Sequence, residues 1–223
     1  MKKRITAFLA TVLLLCMGSA FAVTQTHTCT IPLSTTNWTN ALSVPKFNSS
    51  LGTLNGITFI LTGHVEGAAM LENLETAAAD ITVNLSARLT LMRPDNSVLL
   101  VSIPVVSRTE NVGSFDGEID FLGTSGRTYE NLSANHSETA VLLAPSADLG
   151  LFTGTGNINL PIRAEGFSSG EGAGNLLLQF RTLASAQAQV KYDYTAVPEP
   201  PGLLAMMAGI GGLAGLLMRG SRR

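Results

Sequence analysis

Several short constellations in this chain hold residue types able to do chemistry. Asp116, Glu118 and Asp120 alternate, so on a β-strand they would share one face. Side-by-side carboxylates repel unless solvent or a cation screens them. Two readings are open: a solvated acidic face, or a calcium site on Asp116, Glu118 and Asp120. The spacing is not that of an EF-hand loop, because the glycine and the final glutamate are misplaced. His64 and Glu66 also share a strand face, as a paired surface histidine or a general base. A deep polar pocket joining His64 or His136 to a carboxylate would mark an enzyme. Gly166-Phe167-Ser168-Ser169-Gly170 fits the G-x-S-x-G elbow of hydrolases. That elbow needs a strand before it, a helix after it and a histidine downstream. Here His27, His64 and His136 all lie upstream and a strand pattern follows, so a hairpin loop explains the match better. Ser43-Val44-Pro45-Lys46 fits S-x-x-K, whose serine and lysine must share one helical turn. Pro45 inside that turn spoils the geometry. No catalytic residue is assigned, and a non-enzymatic protein is expected, with calcium its one candidate cofactor.

Apart from Cys16 in the leader, Cys29 is the lone cysteine, so the exported body can form no internal disulfide. His27 alone beside it does not make zinc-ligand spacing. Cys29 is either a small buried residue or a thiol that couples two chains. Asn37, Asn48, Asn84, Asn131 and Asn135 each begin an N-x-[ST] sequon.

The elements that would position these groups read as strands. Ile57, Phe59, Leu61, Val65 and Leu71 fall on one parity, against Thr58, Thr62, His64, Glu66 and Glu72 on the other. Gly63 and Gly67 are the expected bulge or bend points. Ile81, Val83, Leu85, Leu89 and Leu91 alternate with Thr82, Asn84, Ser86, Arg88 and Thr90. Residues 93–97 form a turn, and 98–106 return as a strand that Pro104 confines to an edge or ends. Short strands are expected over 38–44, 115–121 and 139–143, with residues 24–50 otherwise loosely structured and a loop over 123–136. Ile158, Leu160, Ile162 and Ala164 alternate in another strand, and residues 166–174 are a turn. The last strand is long, with Leu176, Leu178, Phe180, Ala184, Ala188, Val190, Tyr192 and Tyr194 on one face. No helical period appears in this body. The expected fold is all-β: one antiparallel sandwich, jelly-roll-like or Ig-like, flanked by an N-terminal signal helix and a C-terminal transmembrane helix.

The ends differ from the body. Lys2, Lys3 and Arg4, an apolar run over 5–17 and Ala20-Phe21-Ala22 compose a signal peptide over residues 1–22. Ala20 and Ala22 are the small residues of the cleavage pattern, and the exported domain spans 23–196. Residues 197–223 begin with Val197-Pro198-Glu199-Pro200. An uncharged apolar span over 203–218 follows, and Arg219, Arg222 and Arg223 close the chain. The prolines keep the motif extended and accessible. A bilayer core wants about 20 helical residues, so the span is short, and its glycines suit a segment that is later removed. The arginines hold the end on the cytoplasmic side as a stop-transfer signal. Six of the 14 basic residues and one of the 16 acidic ones lie in the end segments, leaving the body with 8 against 15. That acidic balance argues against nucleic acid and anionic lipid as partners.

The tail resembles the PEP-CTERM sorting signal of bacterial exported proteins. The resemblance implies that a membrane-embedded exosortase reads the Pro-Glu-Pro motif and processes the chain near it. The body looks like the choice-of-anchor E domain over residues 47–194. It rests on Ser50-Leu51-Gly52-Thr53-Leu54, Leu71-Glu72-Asn73, Leu149-Gly150-Leu151-Phe152-Thr153-Gly154-Thr155-Gly156 and the final strand. That family joins one β-rich body to different sorting tails and implies no catalytic residue. The expectation is an exported structural protein of the cell envelope or biofilm matrix. Signal peptidase and exosortase would process it, with an inner-membrane intermediate and an exopolysaccharide as candidate matrix partner. The alternative is a secreted glycan- or protein-binding module, with or without calcium.

Overall fold

The computed structural model describes residues 21–197. The signal helix expected before them, the motif residues Pro198, Glu199 and Pro200, the 203–218 span and Arg219, Arg222 and Arg223 lie outside the described residues, as does Ala20. Within the described residues no helix is long and apolar enough to cross a membrane.

The body is antiparallel β. Its strands are β1 (Ala22–Thr35), β2 (Trp38–Pro45), β3 (Gly52–Asn73), β4 (Ala79–Met92), β5 (Val98–Ser102), β6 (Val105–Val112), β7 (Gly126–Leu143), β8 (Asn157–Gly166), β9 (Ser169–Glu171) and β10 (Leu176–Ala196). Short 3-10 turns lie at Ser49–Leu51 and Ala147–Gly150. One sheet runs β1-β10-β3-β7. The other runs β2-β8-β4-β5, with β6 and β9 also pairing to β4. The chain changes sheet at nearly every connection. The exceptions are the β4–β5 hairpin and the β5–β6 and β8–β9 steps, where one path is merely broken.

Alternation builds the core between the sheets. Ile57, Phe59, Leu61, Val65 and Leu71 of β3 are fully buried, as are Ile81, Val83, Leu85, Leu89 and Leu91 of β4. β8 and β10 contribute Leu160, Ile162, Ala184, Val190 and Tyr192 to the same cluster. Each such aliphatic side chain contributes about 1.5–3 kcal/mol by leaving water. The rings of Phe59 and Phe152 meet at 5.1 Å between centroids, and those of Phe47 and Tyr192 at 5.9 Å. Trp38 plugs one end, its indole N–H donating to the Ala184 carbonyl at 3.2 Å.

Pro104 breaks the β5–β6 path as expected, and the turn over 93–97 closes through the Asn96 N–H on the Arg93 carbonyl. Other expectations are corrected. The loosely structured N-terminal stretch is β1, paired to β10 from Ala22↔Thr195 to Thr35↔Leu183. Thr-rich sequence hides it, because its outward face is polar and its inward face is only half buried. The strand expected over 115–121 is a loop, and the loop expected over 123–136 is the first half of the long β7. β7 is a sheet edge with few buried side chains, so its hydrophobic alternation is weak. A register shift does fall just after Gly67, which faces Leu132, and the shift takes in Asn131, whose φ is 56°. Gly63 carries no shift. It leaves room for Leu89 and Ser102 of the opposite sheet, which a Cβ would crowd at 2.7 and 2.9 Å. Three residues assigned to the polar parity are buried, Glu72, Ser86 and Thr90.

Candidate functional site

The sites suggested by sequence separate in space. The Asp116–Asp120 segment is a loop, so Asp116, Glu118 and Asp120 do not share a strand face. Asp116 is occupied as a turn cap. Its carboxylate accepts from the Glu118 N–H at 3.2 Å and from the Thr124 N–H at 3.2 Å. The Glu118 N–H, more than any other contact, holds the Asp116 carboxyl below the usual carboxylate range. Asp120 accepts from the Leu122 N–H at 2.8 Å. Among the described residues, no group of three or more His, Cys, Asp or Glu is arranged to hold a metal ion. The geometry therefore gives the calcium reading no support.

What this loop does surround is a buried polar knot. Glu72 ends β3 fully buried. Its two carboxylate oxygens accept from the Ser125 hydroxyl at 2.5 Å and from the Phe121 N–H at 2.7 Å. Next to it Asn73, also buried, donates to the carbonyls of Ala77 and Gly113 and accepts from the Glu75 N–H. Glu72 and Asn73 thus pin the two loops at this end. The Leu71-Glu72-Asn73 block was visible in sequence, but its burial was not, because the covering comes from a loop some 50 residues later.

The histidines are separate too. On the outer face of the first sheet, His64 Nδ1 lies 2.9 Å from Asn135 Oδ1 and its Nε2 lies 3.5 Å from Glu66. An open groove of about 360 Å³ lies beside it, lined by Thr30, Pro32, Thr62, Ser185 and Gln187, with no Phe, Tyr or Trp among its lining residues. His136 joins the two sheets at the opposite edge. The Ile103 N–H donates to its Nδ1 at 3.3 Å, and Glu138 lies 3.5 Å from its Nε2. Ser102 stands 3.3 Å from the same Nδ1, which superficially completes a serine–histidine–carboxylate row. However, Ser102 is fully buried and its hydroxyl donates to the His136 carbonyl at 2.8 Å. It therefore presents no nucleophile. Ser168, of the elbow-like motif, sits between two strands, not before a helix. It accepts from the Ser86 N–H at 3.1 Å and lies 3.1 Å from the Thr182 hydroxyl. Ser43 lies within β2, where it accepts from Asn157. The sequon asparagines hold structure: Asn37 accepts from the Gly166 N–H, Asn48 caps the 3-10 turn at Ser49, and Asn84 accepts from Ser107. Cys29 is half buried in β1, its thiol 3.5 Å from the Ser43 carbonyl.

The chain ends of the body converge. β1 begins at Ala22 and β10 ends at Ala196, and Ala22 pairs directly with Thr195. The Ala196 N–H donates to the Phe21 carbonyl at 3.0 Å, and the Val197 N–H to the Leu51 carbonyl at 3.0 Å. The peptide immediately before the Pro-Glu-Pro motif is thus tied into the body, beside the start of β1. Apolar side chains stay exposed at this end: Phe21, Val23, Leu51 and Val197.

No family model matches the chain, and no curated protein matches it. Among solved structures it is distantly similar to the VP2 subviral particle of infectious bursal disease virus. The identity is 12% and the TM-score 0.25, over 78% of this chain and 38% of that one. The T13 viral particle of the same virus gives 10% identity and a TM-score of 0.22, over 79% and 40%. The chain spans under half the length of each, and likeness at this level carries no argument here.

Proposed function

We propose that this is an exported structural protein of the cell envelope or extracellular matrix, sorted by an exosortase through Val197-Pro198-Glu199-Pro200 and the following span. The observation that carries the reading is the convergence of the two processing boundaries at one end of the body. The Ala22–Val23 signal-cleavage junction and Val197 lie side by side, ringed by exposed Phe21, Val23 and Leu51. A body held at both ends in this way would rest that apolar rim on the membrane boundary, with the motif beside it within reach of a membrane enzyme. Signal peptidase and exosortase are its processing partners, and the inner membrane is a transient location.

The body is a β-sandwich of the jelly-roll kind. The paired orders β1-β10-β3-β7 and β2-β8-β4-β5 support that reading over an Ig-like one, since an eight-strand double Greek key interleaves early and late strands in this way. Its role is non-enzymatic, a reading supported by the buried hydroxyl of Ser102 and the strand setting of Ser168. A second reading, a glycan-binding module, is favoured by the groove beside His64, whose hydroxyls and amide suit an exopolysaccharide strand.

Replacing Pro198, Glu199 and Pro200 with alanine separates sorting from plain anchoring, because span and arginines remain. In a host that carries an exosortase, fractionation and immunoblotting should show uncleaved precursor held in the inner membrane and less protein outside. If the variant is cut and distributed like the wild type, the sorting assignment falls.

A further inference from the structure

The two lateral sides of the body are built differently. On one side β7 lies over β5 and β6, and polar contacts join the sheets. Arg127 pairs with Glu110 at 2.8 Å, Tyr129 donates to the other Glu110 oxygen at 2.8 Å, and Ser102 and Ile103 donate to His136. β7 also carries Glu130 and Glu138. Such charges are the usual means of keeping an edge from pairing with another chain. On the other side lie the edges β1 and β2. From Ala22 to Pro45, which spans both, there is no Lys, Arg, Asp or Glu in a body that is otherwise acidic.

Among the described residues β1 pairs with β10 alone, so every second residue along it turns an unbonded N–H and C=O away from the sheet. The run Ala22–Ile31 keeps one unbroken register and ends at the irregularity that precedes Ser34, where Pro32 removes a donor. Its outward side chains are Thr24, Thr26, Thr28 and Thr30, all exposed. β2 is shorter and closes on Pro45, which leaves β1 as the longer uncharged edge.

We propose that β1 is an association edge, and that its occupant is a second copy of this chain paired antiparallel along Val23–Cys29. Twofold pairing sets each residue against another of the same short run, so a charge near its centre would meet the same charge from the other copy, and this run has none. Threonines opposite threonines can pack and hydrogen-bond across such a seam. Antiparallel pairing centres the seam at Thr26, which then faces its own copy. It extends the four-stranded sheet into a continuous one across two molecules. Neither lysine-bearing nor acidic partners find a complement here, because the edge offers backbone and hydroxyl groups only. The inference concerns the body alone and stands apart from how the tail is processed.

The test uses protein exported and processed by its host, examined by sedimentation over a range of concentrations. The wild type should show a monomer–dimer equilibrium. Thr26→Lys, at an exposed position, should weaken it by about tenfold or more, since the two lysines meet at the twofold. Thr139→Lys, exposed on the β7 edge, should leave it unchanged. Thr28→Lys serves if Thr26→Lys fails to fold by its far-UV spectrum. Single cysteines at Thr24, Thr26, Thr28 and Thr30, in a Cys29→Ser background, should cross-link best near Thr26 and fall off on either side. A monomer at every concentration overturns the proposal. So does a dimer that survives the β1 lysines, or one that Thr139→Lys dissolves.

Discussion

At the scale of single residues, Glu72 decides most. A carboxylate with no exposed surface is costly unless its oxygens are satisfied, and here the Ser125 hydroxyl and the Phe121 N–H satisfy them. Glu72→Ala removes the acceptor for both donors at once. It should destabilise the body by about 2–4 kcal/mol, read from urea unfolding, and speed proteolysis within residues 113–125. Glu72→Gln keeps one acceptor oxygen and should cost less. Wild-type stability in the alanine variant would mean that the loop is held by something else. Period-2 parity assigns Glu72 to the solvent face, and that assignment is sound for β3 as an isolated strand. The loop that returns to cover it is separated from it in sequence, so no local pattern could show the burial.

At the scale of elements, β10 is the organiser, paired with β1 on one side and β3 on the other. Tyr192 ties it to the second sheet by donating its hydroxyl to the Pro45 carbonyl at 2.8 Å. Burial pushes the Tyr192 phenol up to about 12. Tyr129 is also raised to about 12, first by burial and then by its bond to Glu110. A tyrosine in the unfolded chain ionises near 10, so the folded state holds its proton more tightly. That stability is whole below about pH 10 and is lost as pH rises through the folded value of about 12. Tyr192→Phe should cost about 1 kcal/mol at neutral pH, through the unpaired Pro45 carbonyl, and should flatten the alkaline decline. Urea midpoints measured across pH check both effects. An alkaline decline identical to that of the wild type would show that Tyr192 does not govern it.

At the scale of the molecule, the two ends meet. Val23 faces Tyr194 in the β1–β10 pairing, so the proposed cleavage after Ala22 would remove one residue of β1 and keep the rest of its pairing. Intact-mass measurement of the protein recovered outside the cell should therefore find an N-terminus at Val23 and a C-terminus close to Val197. An unprocessed chain in the medium would contradict the two-signal reading. On the proposed sorting reading, this convergence would form the membrane-side end of the body, with the β1 edge as a lateral surface.

Local chemistry in the sequence determined the strands of strong alternation, the break at Pro104, the turn over residues 93–97 and the antiparallel class. In each, one face is apolar or one residue lacks a donor, and such signals need no partner to be read. The apolar span and arginines of the tail are legible for the same reason. Tertiary structure alone decided the rest. β1 and β7 are edges with weak alternation, so only pairing to β10 and β3 reveals them as long strands. Asp116, Glu118 and Asp120 looked like one face while they were taken as a strand, and became turn caps once the chain curled around Glu72. Burial of a polar side chain depends on which distant segment packs over it, and that is a property of the folded chain as a whole.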